Sequence, residues 1–143
     1  MKAGRELDAL VAEKVMGLKR VMVYMPHVHS SDSSHIEWLD ENGPNGPWGK
    51  PLPKPLRPYS TDIAAAWEVL LTKFSFHFRE YKEGSGSVGV AWTVGRCEPA
   101  GELVFCEIEM WNGDGYDRFV ERADTAPLAI CLAAVNAIEV KNG

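Results

Sequence analysis

Clustered basic charge is the plainest absence in this chain. Fifteen Lys and Arg stand against twenty Asp and Glu, a formal net charge of −5. The closest approaches to a basic patch, Lys19-Arg20 and Lys54 with Arg57, are too sparse for a protein that holds a nucleic-acid backbone through phosphate contacts. Cysteine is scarce too. Cys97, Cys106 and Cys131 are odd in number, far apart and without a C-x-x-C pair, which argues against a disulfide framework. Cys106 and Cys131 stand in apolar runs and read as small core residues. No apolar window approaches the roughly eighteen residues of a membrane span. Charge mixed into an amphipathic N-terminal stretch argues against a secretory leader. The expected location is the cytoplasm.

Catalytic signatures are missing as well. There is no G-x-S-x-G elbow, and no cysteine precedes a helix in a turn, so no activated nucleophile is written into the sequence. Glu107 and Glu109 lie two apart on an extended stretch and share a face. They could form an acid–base pair, but solvated carboxylates on the outer face of a strand account for them more simply. Gly84-Ser85-Gly86-Ser87 lies between strands and lacks the helix that a phosphate loop needs. His27-x-His29, followed by His35 and Glu37, is the best metal candidate, since alternate residues of an extended chain point the same way. Its spacing matches no structural zinc module, and four serines around it suit a solvated loop. The expectation is a non-enzyme without a cofactor or a tightly bound metal.

What is present is an ordinary globular composition. With 143 residues, 45% of them hydrophobic and 24% charged, the chain suits one domain, residues 1–143, with a core of useful size. Leu7, Leu10, Val11, Val15 and Leu18 form the apolar stripe of a first helix over residues 6–16, with Asp8, Glu13 and Lys14 facing away and Gly17 placed to end it. Residues 20–24 are β-prone, and residues 36–39 suit a brief strand. Six of the nine prolines fall from residue 44 to 58, among Gly43, Gly46 and Gly49. A Pro-stiffened surface loop at about 40–58 is expected, since proline is excluded from helix interiors and central strands. Such length without regular structure is either functional or disordered.

Pro58-Tyr59-Ser60-Thr61-Asp62 then writes out a helix start. Ser60 or Thr61 can cap the first turn and Asp62 suits the positive end of the helix dipole. Ile63, Ala66, Trp67, Leu70 and Leu71 follow as one apolar stripe. The period next changes from helical to alternating. Phe74, Phe76 and Phe78, then Val88, Val90, Trp92 and Val94, then residues 103–110, then residues 116–122 read as four successive strands. Asn112-Gly113-Asp114-Gly115 marks the last hairpin. A closing helix starts near Asp124 or Thr125, with Pro127 in its first turn and Leu128, Cys131, Leu132, Val135 and Ile138 on its buried face. The fold class is α+β: a four-stranded antiparallel meander packed with three helices in a single-domain α/β sandwich.

Three stretches, in order, carry a family resemblance. They are Ala3-Gly4-Arg5-Glu6-Leu7-Asp8-Ala9-Leu10-Val11-Ala12-Glu13-Lys14-Val15-Met16-Gly17, then Pro58-Tyr59-Ser60-Thr61-Asp62-Ile63-Ala64-Ala65-Ala66-Trp67-Glu68-Val69-Leu70, then Thr125-Ala126-Pro127-Leu128-Ala129-Ile130-Cys131-Leu132-Ala133-Ala134. Together they resemble the phage ABA sandwich domain, a family of small phage and prophage proteins. The resemblance implies a sheet with helices on both faces and a place in the host-cell cytoplasm. It implies no catalytic residue. The chain departs from the family pattern at Leu18, where an aromatic often stands, and in the long loop before Tyr59.

Binding candidates come from aromatics in unusual places. Trp48, amid Gly46-Pro47-Trp48-Gly49, and Trp111, beside the hairpin turn, are expected to be partly exposed, as interface anchors often are. Tyr59, Ser60 and Thr61, with Arg57 beside them, could receive a small polar or anionic ligand at a helix start. A cap, with Tyr59 stapled against Ala64, is the favoured reading, because it uses every residue of the motif. The functional reading is a non-enzymatic phage-type accessory protein that binds a host or phage macromolecule through the Pro/Trp-rich loop. The alternative is a small-molecule binder that sequesters a nucleotide signal of host defence.

Overall fold

A computed structural model describes residues 1–24, 34–74, 90–97 and 103–142. Among these the order is helix α1 (Arg5–Leu10), continued by a wider π turn over Val11–Val15, strands β1 (Lys19–Tyr24) and β2 (Ser34–Leu39), helix α2 (Ile63–Lys73), strands β3 (Val90–Arg96), β4 (Val104–Trp111) and β5 (Tyr116–Ala123), and helix α3 (Ala126–Asn142). The fold is α+β, with three helices and five strands in two sheets.

The expected four-stranded meander gives way to a two-stranded sheet, β1-β2, and a three-stranded one, β3-β4-β5. The difference arises at the N-terminal end. Residues 36–39 extend into a full strand because Lys19 to Tyr24 offers an antiparallel partner, with Val21 opposite Glu37 and Met22 opposite Ile36. Beyond Phe74, which closes α2, the stretch read as the first meander strand lies outside the described residues, as do Val88 and the Gly84-Ser85-Gly86-Ser87 turn. The other three strands stand as expected. Ile108 on β4 faces Trp92 on one side and Phe119 on the other. Asn112 builds the β4–β5 turn, its Oδ1 accepting the N–H groups of Asp114 and Gly115 at 2.9 Å each.

The core forms where α3 crosses β4 and β5. Cys106 and Ile108 are fully buried on the inner sheet face. α3 is more central than its expected stripe suggests. Cys131 and Val135 are buried, but so are Ala129, Ile130, Ala133, Ala134 and Ala137, because both the sheet and α2 pack on this helix. Small side chains let the helix backbones approach closely. The same logic turns α2: Ala65, Ala66, Val69 and Leu70 are buried, whereas Ile63 and Leu71, expected inside, are 44% and 53% exposed. Trp67 is partly buried and meets Trp92 of β3 at 5.2 Å between ring centroids.

The N-terminal helix buries Leu7, Val11, Ala12 and Val15. Its π turn is marked by the Met16 N–H donating to the Val11 carbonyl, five residues back. Gly17 ends it, as the sequence suggests, with the Leu18 N–H reaching back to the Ala12 carbonyl. Asp8, expected to face away, is 4% exposed. No helix among the described residues is long and apolar enough to cross a membrane.

Candidate functional site

The loop from β2 to α2 is ordered by its own backbone. Asp40 starts it, its carboxylate accepting the Asn42 N–H at 3.0 Å and its carbonyl the Gly43 N–H at 3.0 Å. A tight turn follows, with the Gly49 N–H donating to the Gly46 carbonyl at 3.1 Å and the Gly46 N–H to the Lys50 carbonyl at 2.8 Å. Pro47 holds the second position of that turn, where its fixed φ fits. Gly49 takes φ 74°, a conformation that costs other residues energy. At Gly46 a Cβ would sit 2.7 Å from Leu52 Cγ, so the loop can fold over Leu52 only without a side chain there. Trp48, third in the turn, is left 84% exposed.

The second half of the loop is stitched to β2. Trp38 and Lys54 exchange two backbone hydrogen bonds, at 2.8 and 2.9 Å, an antiparallel bridge that lies beyond the β1–β2 pair. Trp38 is 5% exposed, and the Arg20 guanidinium lies 5.4 Å from its ring centroid. Between this bridge, the end of the first helix and α2, the loop encloses a cleft of about 380 Å³. Its walls include Trp38, Leu52, Leu56 and Tyr59, with Lys54 and Arg57 among the charged groups.

The helix start is organised differently from the expected cap. Asp62, not Ser60 or Thr61, caps α2, its carboxylate accepting the Ala64 N–H at 2.9 Å. Ser60 is fully buried. Its N–H donates to Asp8 Oδ1 at 2.6 Å, and its Oγ accepts the Gly4 N–H at 2.9 Å. The Thr61 and Asp62 N–H groups both turn back to the Pro58 carbonyl, and the Tyr59 N–H to that of Arg57. The N–H groups of Tyr59, Ser60, Thr61, Asp62 and Ala64 are therefore committed within the protein. Arg57 is committed too, paired through Nη1 with Glu68 Oε2. Tyr59 belongs to the core at 2% exposure. Burial raises its phenol above the ordinary range, partly offset by the Arg57 charge, so the ring stays neutral.

Of the six binding candidates, Arg57 and Tyr59 share the cleft. Trp48 stands on the loop tip. Ser60 is a structural lock, and Thr61 is exposed in the turn before α2. Trp111 belongs to the other sheet, where it meets Tyr116 edge-on with centroids 5.1 Å apart. Trp38, Leu52 and Leu56 are among the cleft residues that the sequence did not single out. Their one signal is the alternation of Leu52, Lys54 and Leu56 with prolines, which gives a strand-like segment but not its partner.

Other sites considered from the sequence resolve as follows. Glu107 and Glu109 share an outer sheet face as expected, but Arg118 joins them there. Its Nε lies 2.7 Å from Glu107 Oε1 and 3.0 Å from Glu109 Oε1, which raises the Arg118 pKa further. His27 and His29 lie outside the described residues. His35 Nε2 lies 3.3 Å from Glu37 Oε1, and no group of three metal-ligating side chains occurs among the described residues. Cys106 and Cys131 are buried and free, and Cys97 is half-buried.

Compared with known proteins, residues 9–135 match the family model of the phage ABA sandwich domain. No curated protein and no solved structure matches the chain.

Proposed function

The chain belongs to the phage ABA sandwich domain family, and within that fold we propose a non-enzymatic binding role, with the β2–α2 loop docking on a host or phage macromolecule. The observation that carries the reading is Trp48: a large aromatic, 84% exposed, on a turn that its own hydrogen bonds hold in place. A rigid aromatic loses little conformational freedom on contact, and tryptophan is enriched among residues that dominate interface energetics. Prolines around it restrict the backbone before binding.

Photo-crosslinking tests this. A benzophenone side chain placed at position 48 in the phage-infected host is expected to capture one discrete macromolecule. The same group at Thr61, exposed but off the loop tip, is expected not to capture it. Equal capture from both positions, or none from position 48, contradicts the reading. The alternative, sequestration of a nucleotide signal, draws support from the cleft alone, where Lys54 lines the wall and Arg57 is already paired with Glu68.

A further inference from the structure

The cleft beneath the loop is a second feature, independent of Trp48, which does not line it. Its volume, about 380 Å³, lies near the lower end of small-molecule sites, which run from about 300 to 1,000 Å³. Leu18, Trp38, Leu52 and Leu56 give it apolar walls, and four charged residues share the lining. Two of these, Arg57 and Glu68, are paired with each other. The other two, Asp40 and Lys54, have no ion-pair partner among the described residues.

The backbone holds both unpaired charges in place. Lys54 is anchored by its bridge to Trp38. Asp40 follows Trp38 by two positions, and its Oδ1 accepts the Asn42 N–H at 3.0 Å, which fixes the carboxylate on the first turn of the loop. The two border one cleft without pairing with each other, so one ligand can engage both. Their signs then select the occupant. An anion drawn to Lys54 meets a like charge in Asp40, and a cation drawn to Asp40 meets one in Lys54. A molecule with one positive and one negative group beside an apolar body answers both charges and suits the walls. We propose that the cleft binds a small zwitterion, an α-amino acid with an apolar side chain, its carboxylate on Lys54 and its ammonium on Asp40.

Calorimetric titration of the full chain with L-leucine, L-methionine and L-phenylalanine tests this. At least one of them is expected to saturate a single site. Its N-acetyl derivative, which lacks the ammonium, and its amide, which lacks the carboxylate, are each expected to bind about tenfold more weakly, the scale of one lost charge-assisted hydrogen bond. Lys54→Gln keeps the backbone bridge to Trp38, and Asp40→Asn keeps an acceptor for the Asn42 N–H, so both variants are expected to melt with the parent chain. Lys54→Gln should weaken the amino acid about tenfold and the amide not at all; Asp40→Asn should weaken the amino acid about tenfold and the N-acetyl derivative not at all. Damage to the fold would weaken every probe alike, so this crossed pattern belongs to the two charges. Absence of saturation by all three amino acids, equal affinity for the capped derivatives, or full affinity for the amino acid in Lys54→Gln would overturn the proposal. Because Trp48 does not line the cleft, capture at position 48 without amino-acid binding, or the reverse, separates the failure of one reading from the failure of the other.

Discussion

The Asp8 carboxylate accepts the Ser60 backbone N–H at 2.6 Å, and both residues are buried. Fifty-two positions separate them in sequence, so this one contact joins the first helix to the start of α2. Ser60 answers by accepting the Gly4 N–H. The pair fixes where the loop must end, and with it the position of Arg57 and Tyr59.

Removing that acceptor strands a buried donor. Asp8→Ala is expected to destabilise the fold by about 1–3 kcal/mol, the range for a buried hydrogen-bonding group left unpaired. Asp8→Asn keeps an acceptor oxygen and should cost less. Urea unfolding checks both. An Asp8→Ala loss indistinguishable from zero would show that the contact does not hold the helices together.

Trp67→Ala is expected to cost about 2–3 kcal/mol, short of the roughly 3–5 kcal/mol of a fully buried aromatic. The reason is its partial exposure, with Trp92 its ring contact among the described residues. Denaturant midpoints for Trp67→Ala, Trp92→Ala and the double variant would show the two losses to be non-additive. Strict additivity would contradict the packing described.

Burial pushes the Cys106 and Cys131 thiols up from 9.0 to about 12, helped by Glu107 for Cys106 and by Asp8 for Cys131. The folded protein thus keeps both thiols protonated where the unfolded chain would ionise them. Their contribution to stability is complete below pH 9.0 and is lost as the pH rises towards about 12. Denaturation midpoints should fall across that window, with Tyr59, also raised, acting in the same direction. At mildly alkaline pH a thiol reagent should modify the half-buried Cys97 long before the other two. Rapid modification of all three without unfolding would contradict the buried placement.

Local signals in the sequence were enough for elements whose partners are near. The Asn112-Gly113-Asp114-Gly115 turn, the strands it joins, and Pro127 in the first turn of α3 follow from backbone preferences alone. Pairings across distance were hidden. Nothing at Asp8 says that it faces inward, because its partner is a backbone N–H, which leaves no trace in side-chain type. The shift of the α2 stripe was hidden for a related reason: alanine reads as weakly apolar, yet Ala65 and Ala66 are fully buried on α2, which packs against α3. Of the candidate site, exposed Trp48 was legible from its Gly/Pro surroundings. The cleft was not, because it depends on Lys54 pairing with Trp38.

That pairing divides the loop in two. Replacing residues 44–50 by a Gly-Ser linker is expected to leave the melting temperature nearly unchanged, since this tip contributes no residue to the core. Replacing residues 51–58 should lower it substantially, because Lys54 bridges to Trp38 and Leu56 packs on the core. Thermal melts of the two chimaeras check this, and equal effects would contradict the division.

The central claim is that Trp48 docks the protein on a macromolecular partner without supporting the fold. Trp48→Ser, compared with the parent chain for melting temperature and for recovery of the partner captured by crosslinking at position 48, tests it directly. The account predicts an unchanged melting temperature, with partner affinity lowered by at least tenfold, since truncating an interface hot spot costs about 2 kcal/mol or more. Partner recovery equal to that of the parent chain, or loss of recovery accompanied by unfolding, would contradict it.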